Sequence, residues 1–173
     1  KPTENVITIV NNLVKGAKQA FSFVLDNVNI DRSKNYSDNN KAALTVKGNG
    51  DTEIELDGNN ILKGGSYHAG LEKNDRDGTG TLTIKDEKIA ADGSKGSLLA
   101  VGNSDSAGIG GSSKGGNGNT SNITITGGSA GMGMNLSTTQ AYVIFGSAGI
   151  SGMGNMGGQP GSFGGMQPPQ NGG

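Results

Sequence analysis

The stretch "TEIELDGNNI" (residues 52–61) decides the fold. Ile54 and Leu56 alternate with polar residues, so their side chains share one face of an extended chain. The alternation stops at Asp57-Gly58, a pair that tolerates the left-handed backbone of a tight turn. A period of two residues followed by a turn predicts a short β-strand with one buried face.

Four other segments repeat this pattern of two alternating apolar residues and a turn: "FSFVLDNVNI" (21–30), "TLTIKDEKIA" (81–90), "NITITGGSAG" (122–131) and "AYVIFGSAGI" (141–150). The inward-facing pairs that we predict in the five segments are Phe23/Leu25, Ile54/Leu56, Leu82/Ile84, Ile123/Ile125 and either Tyr142/Ile144 or Val143/Phe145. Their second members are spaced by 31, 28, 41 and 19 residues. Strand-and-turn units recurring every 20–50 residues or so predict a β-solenoid. The segments "ALTV" (43–46), "AGL" (69–71) and "LLAV" (98–101), together with the three phrases beginning "SAG" at 106, 129 and 147, are predicted secondary strands of its coils.

A glycine-rich phrase recurs between these strands. "SAGIGG" (106–111) returns as "SAGMGM" (129–134) and "SAGISG" (147–152). Small residues let a backbone turn sharply where corners lie one strand spacing apart, about 4.8 Å. The phrases therefore predict corners, because a nucleotide-binding loop would need a helix directly after it. The one helix that we predict, over residues 11–20, would form a short cap on the N-terminal end.

Length and composition exclude several classes of protein. The 173 residues suit one domain and include 33 glycines and no cysteine, so thiols do not indicate a compartment. A formal net charge of −1 argues against nucleic-acid binding, which needs a basic surface. The sequence has no apolar run of about 20 residues, the length that a membrane span requires.

Charge is distributed very unevenly. Residues 1–100 hold 13 of the 14 Lys and Arg and 14 of the 15 Asp and Glu, whereas residues 115–173 hold no charged side chain and all five methionines. Protein surfaces are typically about a quarter to a third charged, so an uncharged surface favours association. We therefore predict a solenoid domain over residues 1–151, followed by a Gly/Met/Pro/Gln-rich extension over 152–173 that packs on a neighbouring subunit.

The phrases "LDNVNI", "AALTVKGNGDTEIELDGNNILKGG", "GTGTLTIKD" and "AGIGG…NITITGG" carry a resemblance over roughly residues 21–132. The chain resembles bacterial extracellular right-handed parallel β-helix proteins of the carbohydrate-binding-domain type. The resemblance implies an all-β, right-handed parallel β-helix and a secreted, non-catalytic module that binds polysaccharide, in some cases with calcium. The uncharged C-terminal part departs from this pattern.

The segment "NDRDGTG" (74–80) holds the nearest approach to a metal or catalytic group. Asp75 and Asp77 flank Arg76, which makes the two carboxylates weak calcium candidates, although the sequence favours a solvated polar turn here. A polysaccharide lyase would need such carboxylates beside a basic residue. His68 is the only histidine, which leaves no His-based zinc site or serine triad, and we assign neither a catalytic residue nor an organic cofactor. The candidate carbohydrate contacts are Tyr36, Tyr67, His68 and Arg76.

Two functional hypotheses follow. The first is a non-enzymatic, secreted structural protein that assembles with itself head to tail into a cell-surface filament or matrix. In that hypothesis the N-terminal end of the solenoid is charged and capped, and the uncharged C-terminal end forms the joint. The assembly candidates are Met132, Met134, Tyr142, Phe145, Ile150, Met153, Met156, Phe163 and Met166. The second is a monomeric carbohydrate-binding or adhesion module, and a polysaccharide lyase is a third possibility.

Overall fold

Thirteen β-strands make up almost all of the regular structure. The computed structural model describes residues 1–14, 20–34, 41–87, 95–113, 119–126, 129–135 and 140–146. The strands are β1 Ile7–Val10, β2 Phe21–Asp26, β3 Asn29–Asp31, β4 Leu44–Lys47, β5 Thr52–Asp57, β6 Asn59–Lys63, β7 Leu71–Glu72, β8 Leu82–Lys85, β9 Ser97–Val101, β10 Ile109–Gly110, β11 Ile123–Thr126, β12 Ser129–Asn135 and β13 Gln140–Gly146. One 3₁₀ turn, Asp75–Asp77, is the only helical element in these ranges, and none there is long and apolar enough to cross a membrane.

The strands pair in a three-strand repeat. From β1 to β11, each paired strand lies parallel to the strand three places later in the chain. This produces three sheets, with orders β1-β4-β7-β10, β2-β5-β8-β11 and β3-β6-β9-β13-β12. The fold is therefore all-β and built mainly from parallel sheets, as the sequence predicts. The secondary strands predicted at 43–46, 69–71 and 98–101 correspond to β4, β7 and β9.

The core is a set of aliphatic rows, each running from one repeat to the next. In the second sheet Phe23 lies beside Ile54, Ile54 beside Ile84, and Ile84 beside Ile125. Ile54 and Ile84 are fully buried, whereas Phe23 and Ile125 at the two ends of the row are only partly buried. The row confirms that the alternating positions face inward.

Two details of the predicted alignment are wrong. Ile84 pairs with Ile54 and not with Leu56, because β8 ends at Lys85 and the buried Asp86 follows, accepting a hydrogen bond from the Gly96 N–H. The spacing from Ile125 to Ile144 is not a repeat either, since β13 lies in the third sheet, antiparallel to both β9 and β12. Four residues separate β12 from β13, which permits an antiparallel neighbour but not the long crossover that a parallel one needs. The phrase at 129–134 therefore lies in a strand and not at a corner.

Asn60 connects three successive repeats from inside the fold. Its side chain is 1% exposed. Its amide donates to the carbonyls of Leu25, Asp57 and Ser97, and its oxygen accepts the Val28 N–H. A buried turn would otherwise leave these main-chain groups unsatisfied, each at a cost of about 1–3 kcal/mol.

The predicted helical cap is not present in the part of it that the structure describes. Residues 11–14 are non-helical, and residues 15–19 lie outside the described ranges. The buried Asn11 side chain donates to the Asp51 carbonyl and to the Thr52 hydroxyl, and it accepts the Leu13 N–H. Such side-chain bonds to nearby backbone compete with helix formation.

Glycine is required where the corners of successive repeats touch. A Cβ atom on Gly80 would overlap the carbonyl oxygen of Gly50 in the preceding repeat. We expect Gly80→Ala to lower the free energy of unfolding by about 3 kcal/mol, because neither backbone can move without breaking the strand pairing. The neighbouring exposed residue supplies the control, and Thr79→Ala should change stability by no more than about 0.5 kcal/mol. Equal urea midpoints for the two variants would contradict the close packing of the corners.

Candidate functional site

The two calcium candidates take part in a structural clasp. Asp75 accepts hydrogen bonds from the Ser121 N–H (2.8 Å) and hydroxyl (2.9 Å), and the Lys73 ammonium lies 3.6 Å from it. The buried Lys73 ammonium also donates to the Ser121 carbonyl at 3.0 Å. Asp77 lies 3.7 Å from the ammonium of Lys47. The clasp thus ties the 3₁₀ turn to the segment that precedes β11.

The contacts of this clasp change the pKa of the Asp75 carboxyl. Partial burial alone would raise the pKa of this carboxyl, but the two hydrogen bonds from Ser121 and the charge of Lys73 outweigh burial and lower the pKa. Arg76 between the two aspartates is exposed. In the described ranges, no three or more His, Cys, Asp or Glu side chains are grouped as metal ligands.

The candidate carbohydrate contacts occupy different environments. Tyr67 is 53% exposed, in a left-handed conformation (φ 66°) at the turn between β6 and β7. His68 beside it is mostly buried. Tyr36 lies outside the described residues. The structure therefore brings together Tyr67 and His68, and it places Arg76 in a different connection.

His68 begins a chain of buried polar groups that the sequence did not indicate. Its Nδ1 lies 2.7 Å from Oε2 of Glu72, whose side chain is 6% exposed. Because a carboxylate can only accept, Nδ1 carries the shared proton. The other oxygen of Glu72 accepts from the Asn74 amide, and the Asn74 oxygen accepts the Ser112 N–H. The His68 Nε2 is buried and has no hydrogen-bond partner among the described residues.

His68 and Glu72 border a groove of about 250 Å³ on the outer face of the first sheet. Thr8, Thr45 and Glu72 occupy one row across β1, β4 and β7. We call this the lateral groove, and its polar lining is Thr8, Lys41, Thr45, Lys47, His68 and Glu72. The described lining thus carries two lysines and one carboxylate, and the carboxylate oxygens already accept bonds from His68 and Asn74, while Lys47 also lies 3.7 Å from Asp77. Only His68 of this set was predicted. The strand predicted at 43–46 is consistent with an outward Thr45, whereas neither β1 with Thr8 nor the buried Glu72 was predicted.

Among the described residues, the N-terminal edges of the first two sheets are open and apolar, whereas in the third sheet Thr3 bonds to β3. In β1 the N–H groups of Ile7 and Asn11 donate to carbonyls on the β4 side. Alternate residues of a parallel strand bond the same neighbour, so the main-chain groups of Thr8 and Val10 face away from β4. By the same alternation in β2, where Phe21 donates to Asp51, the main-chain groups of Ser22 and Val24 face away from β5. In the sheet orders, β1 and β2 are terminal strands.

Exposed apolar side chains cluster at this open end. Val10 is 60% exposed, Phe21 46% and Val24 50%, and the Leu13 and Val14 side chains are 53% and 80% exposed. These five side chains are uncharged where a charged and capped end is expected, and residues 15–19 of the segment expected to form the cap lie outside the described residues. The Asn11 side chain accepts the Leu13 N–H and so fixes the turn at residues 11–13. The Leu13 and Val14 side chains are exposed to solvent.

The predicted assembly residues lie on the last two strands or beyond them. Met132 and Met134 are in β12, and Tyr142 and Phe145 are in β13. In the antiparallel pair, Met132 lies opposite Val143 and Met134 opposite Ala141. Ile150, Met153, Met156, Phe163 and Met166 lie outside the described residues, as does the whole extension over 152–173.

Comparison with known proteins adds no assignment. No family model, curated protein or solved structure matches the chain. The functional argument therefore depends on the geometry above.

The clasp predicts a measurable titration. In Ser121→Ala the hydroxyl donor to Asp75 is lost, so the pKa of Asp75 should rise towards the ordinary aspartate value. Because the pKa of Asp75 is lowered in the folded state, its ionised form stabilises the fold at pH values above the ordinary aspartate pKa. This stabilisation is lost as the pH falls through the folded-state pKa. Carboxyl chemical shifts followed by NMR against pH would report the change. Ser97→Ala, which removes a hydroxyl that donates to Asn59 and not to Asp75, should leave that titration unmoved.

Proposed function

We propose that each three-strand repeat is one coil of a right-handed parallel β-helix. The parallel pairing of strand n with strand n + 3 supports a path that passes through all three sheets and returns one strand spacing higher. Right-handedness is the near-universal sense of crossovers between parallel strands, and the family resemblance implies the same hand.

We infer that this β-helix is a non-enzymatic structural subunit that assembles head to tail into an extracellular filament or matrix. The observation that carries the proposal is the open N-terminal end, where β1 and β2 combine outward-facing main-chain groups with exposed apolar side chains. The extracellular location is taken from the resemblance alone.

The polarity of the strands supports head-to-tail contact. At the other end of the same two sheets β10 and β11 are terminal, and all pairings between these ends are parallel. A second copy placed on β1 and β2 by its β10 and β11 would continue the pairing in the same sense. Such a contact joins two different surfaces and does not close on itself, so it propagates as a fibre.

The strength of the contact follows from the apolar side chains. Burial of one Val, Leu or Phe side chain contributes about 1.5–3 kcal/mol. Five such side chains lie at the N-terminal end, and their sum is comparable with the association cost of about 4–15 kcal/mol. We therefore expect assembly to be reversible and concentration-dependent.

A charge at the open end should prevent assembly. Lysine on an edge strand opposes strand addition. At position 10 it would place a second ammonium beside Lys47, and at position 21, where the partner Thr52 is buried, its ammonium would be buried against the next copy. We expect Val10→Lys and Phe21→Lys to remain folded by circular dichroism but to sediment as monomers, without filaments in negative-stain micrographs.

The matched control is Tyr67→Lys, which changes an equally exposed aromatic residue on the side of the stack. Assembly of Tyr67→Lys but not of the edge variants would support the proposal. Monomeric wild-type protein at high concentration, or full assembly of both edge variants, would contradict it.

The lateral groove favours a second function, the binding of an acidic polysaccharide. The Lys41 and Lys47 ammoniums suit carboxylate groups, and the Thr8 and Thr45 hydroxyls can bond to sugar hydroxyls. The exposed ring of Tyr67, next to His68, offers an apolar surface for a sugar face.

This function can be tested by retention on insoluble polysaccharides. We expect binding to pectin, but not to cellulose, that falls with added salt and is lost in the double variant Lys41→Gln/Lys47→Gln. Lys95→Gln, outside the groove, is the charge-matched control. Retention that a chelator abolishes, together with its loss in Asp77→Ala, would assign calcium to the binding. Unchanged retention by the double variant would exclude the groove, and release of unsaturated sugars would favour the lyase alternative.

A further inference from the structure

We propose that the C-terminal extension of a second copy occupies the groove at the open N-terminal end. This inference depends on the head-to-tail assembly proposed above and names the segment that forms the joint. The groove, which we call the edge groove, has a volume of about 680 Å³ and is lined by residues 8–13 and Phe21.

Charge is the first argument for this occupant. The lining residues that the structure describes carry no charged side chain, although the first 100 residues hold nearly all the charge of the protein. A charged segment entering this groove would lose its hydration without gaining a partner. Residues 115–173 are the longest uncharged stretch of the chain, so they can enter without that cost.

Backbone chemistry is the second argument. Thr8 and Val10 direct their main-chain N–H and C=O groups away from β4, and an extended segment can pair with them by strand addition. Proline lacks the N–H donor, so a pairing segment should lie between prolines. Residues 161–167, "GSFGGMQ", lie between Pro160 and Pro168 and could span about 23 Å as a strand.

Side-chain chemistry identifies the anchors. Val10, Leu13 and Phe21 present apolar surface to the groove. The segment 161–167 offers Phe163 and Met166, and methionine adapts well to irregular apolar surfaces beside aromatic rings. The glycines between them let the two backbones approach closely.

The geometry of the stack favours a second copy over the same chain. The open end and the last strands lie at opposite ends of the sheets, three strand spacings or about 14 Å apart in the first sheet. The described chain ends with β13, beside β12 at the far end of the third sheet, so in the proposed stack this point is nearer to the edge groove of a neighbour than to the chain's own groove.

Cysteine cross-linking tests the inference directly, because the chain has no cysteine of its own. The full-length variants Val10→Cys and Met166→Cys are mixed at a concentration where the wild type assembles and are oxidised mildly. A disulfide needs Cα atoms within about 7 Å, so only a seated extension gives a covalent heterodimer. We expect at least about tenfold more heterodimer than from Tyr67→Cys mixed with Met166→Cys.

The possible outcomes separate this inference from the proposed function. Heterodimer at the level of the Tyr67→Cys control, in samples that still form filaments, would overturn the inference and leave head-to-tail assembly standing. Absence of both heterodimer and assembly in all samples would overturn both. In the double variant Val10→Cys/Met166→Cys the inference predicts a ladder of covalent oligomers, and a monomer with only an internal disulfide would show that the chain fills its own groove.

Discussion

Parallel, in-register stacking of each strand on the strand three places later is the constraint on which the rest of the structure depends. It places residues about thirty positions apart in direct contact, as with Ile54 and Ile84. Each interior position must therefore suit the row it belongs to. Aliphatic side chains fill these rows, and an asparagine is tolerated at Asn60 because it bonds to carbonyls in three repeats. At the corners the same constraint brings backbone against backbone, which only glycine permits.

The same stacking also determines what the surface can do. The sides of the stack carry ion pairs across neighbouring strands, such as Lys85 with Glu53 at 2.8 Å and Lys63 with Asp31 at 3.2 Å. The hydrogen bond from Lys85 lowers the pKa of Glu53, so this carboxyl remains charged over a wider pH range. Charged sides oppose lateral association. The N-terminal end lacks this protection, since Val10 and Phe21 are exposed there. The association that we propose is therefore directed along the stack.

The sequence predicts most of the strands, although not β1, and it does not predict their partners. The alternation of apolar and polar residues correctly places Ile54, Leu82 and Ile84 in the core. This pattern can be read from neighbouring positions alone. Pairing depends on where each strand ends, so the shift that places Asp86 in a buried position could not be derived locally. The antiparallel position of β13 depends on its short connection to β12, which the apparent repeat in sequence concealed.

The candidate site shows the same division. Alternation predicts that Thr45 faces outward, but nothing near Glu72 in sequence indicates that its carboxylate is buried against His68. That contact arises because the loop after β6 folds over the face of the first sheet. Similarly, Asp75 and Asp77 attract attention as neighbouring carboxylates, whereas their lysine and serine partners come from distant segments. The sequence thus indicates which residues carry charged or polar groups, and tertiary contacts determine which of those groups already have hydrogen-bond or ion-pair partners.

The central claim is that the edges of β1 and β2 are available to a partner. Amide hydrogen exchange measured residue by residue tests it most directly, with Thr8, Val10, Ser22 and Val24 as reporters and Ile54 as the internal standard. The account predicts fast exchange of the four reporters in dilute monomer, and protection that grows with concentration as copies assemble. Strong protection of these amides in the monomer at all concentrations would show that the edge is already covered, and would contradict the account.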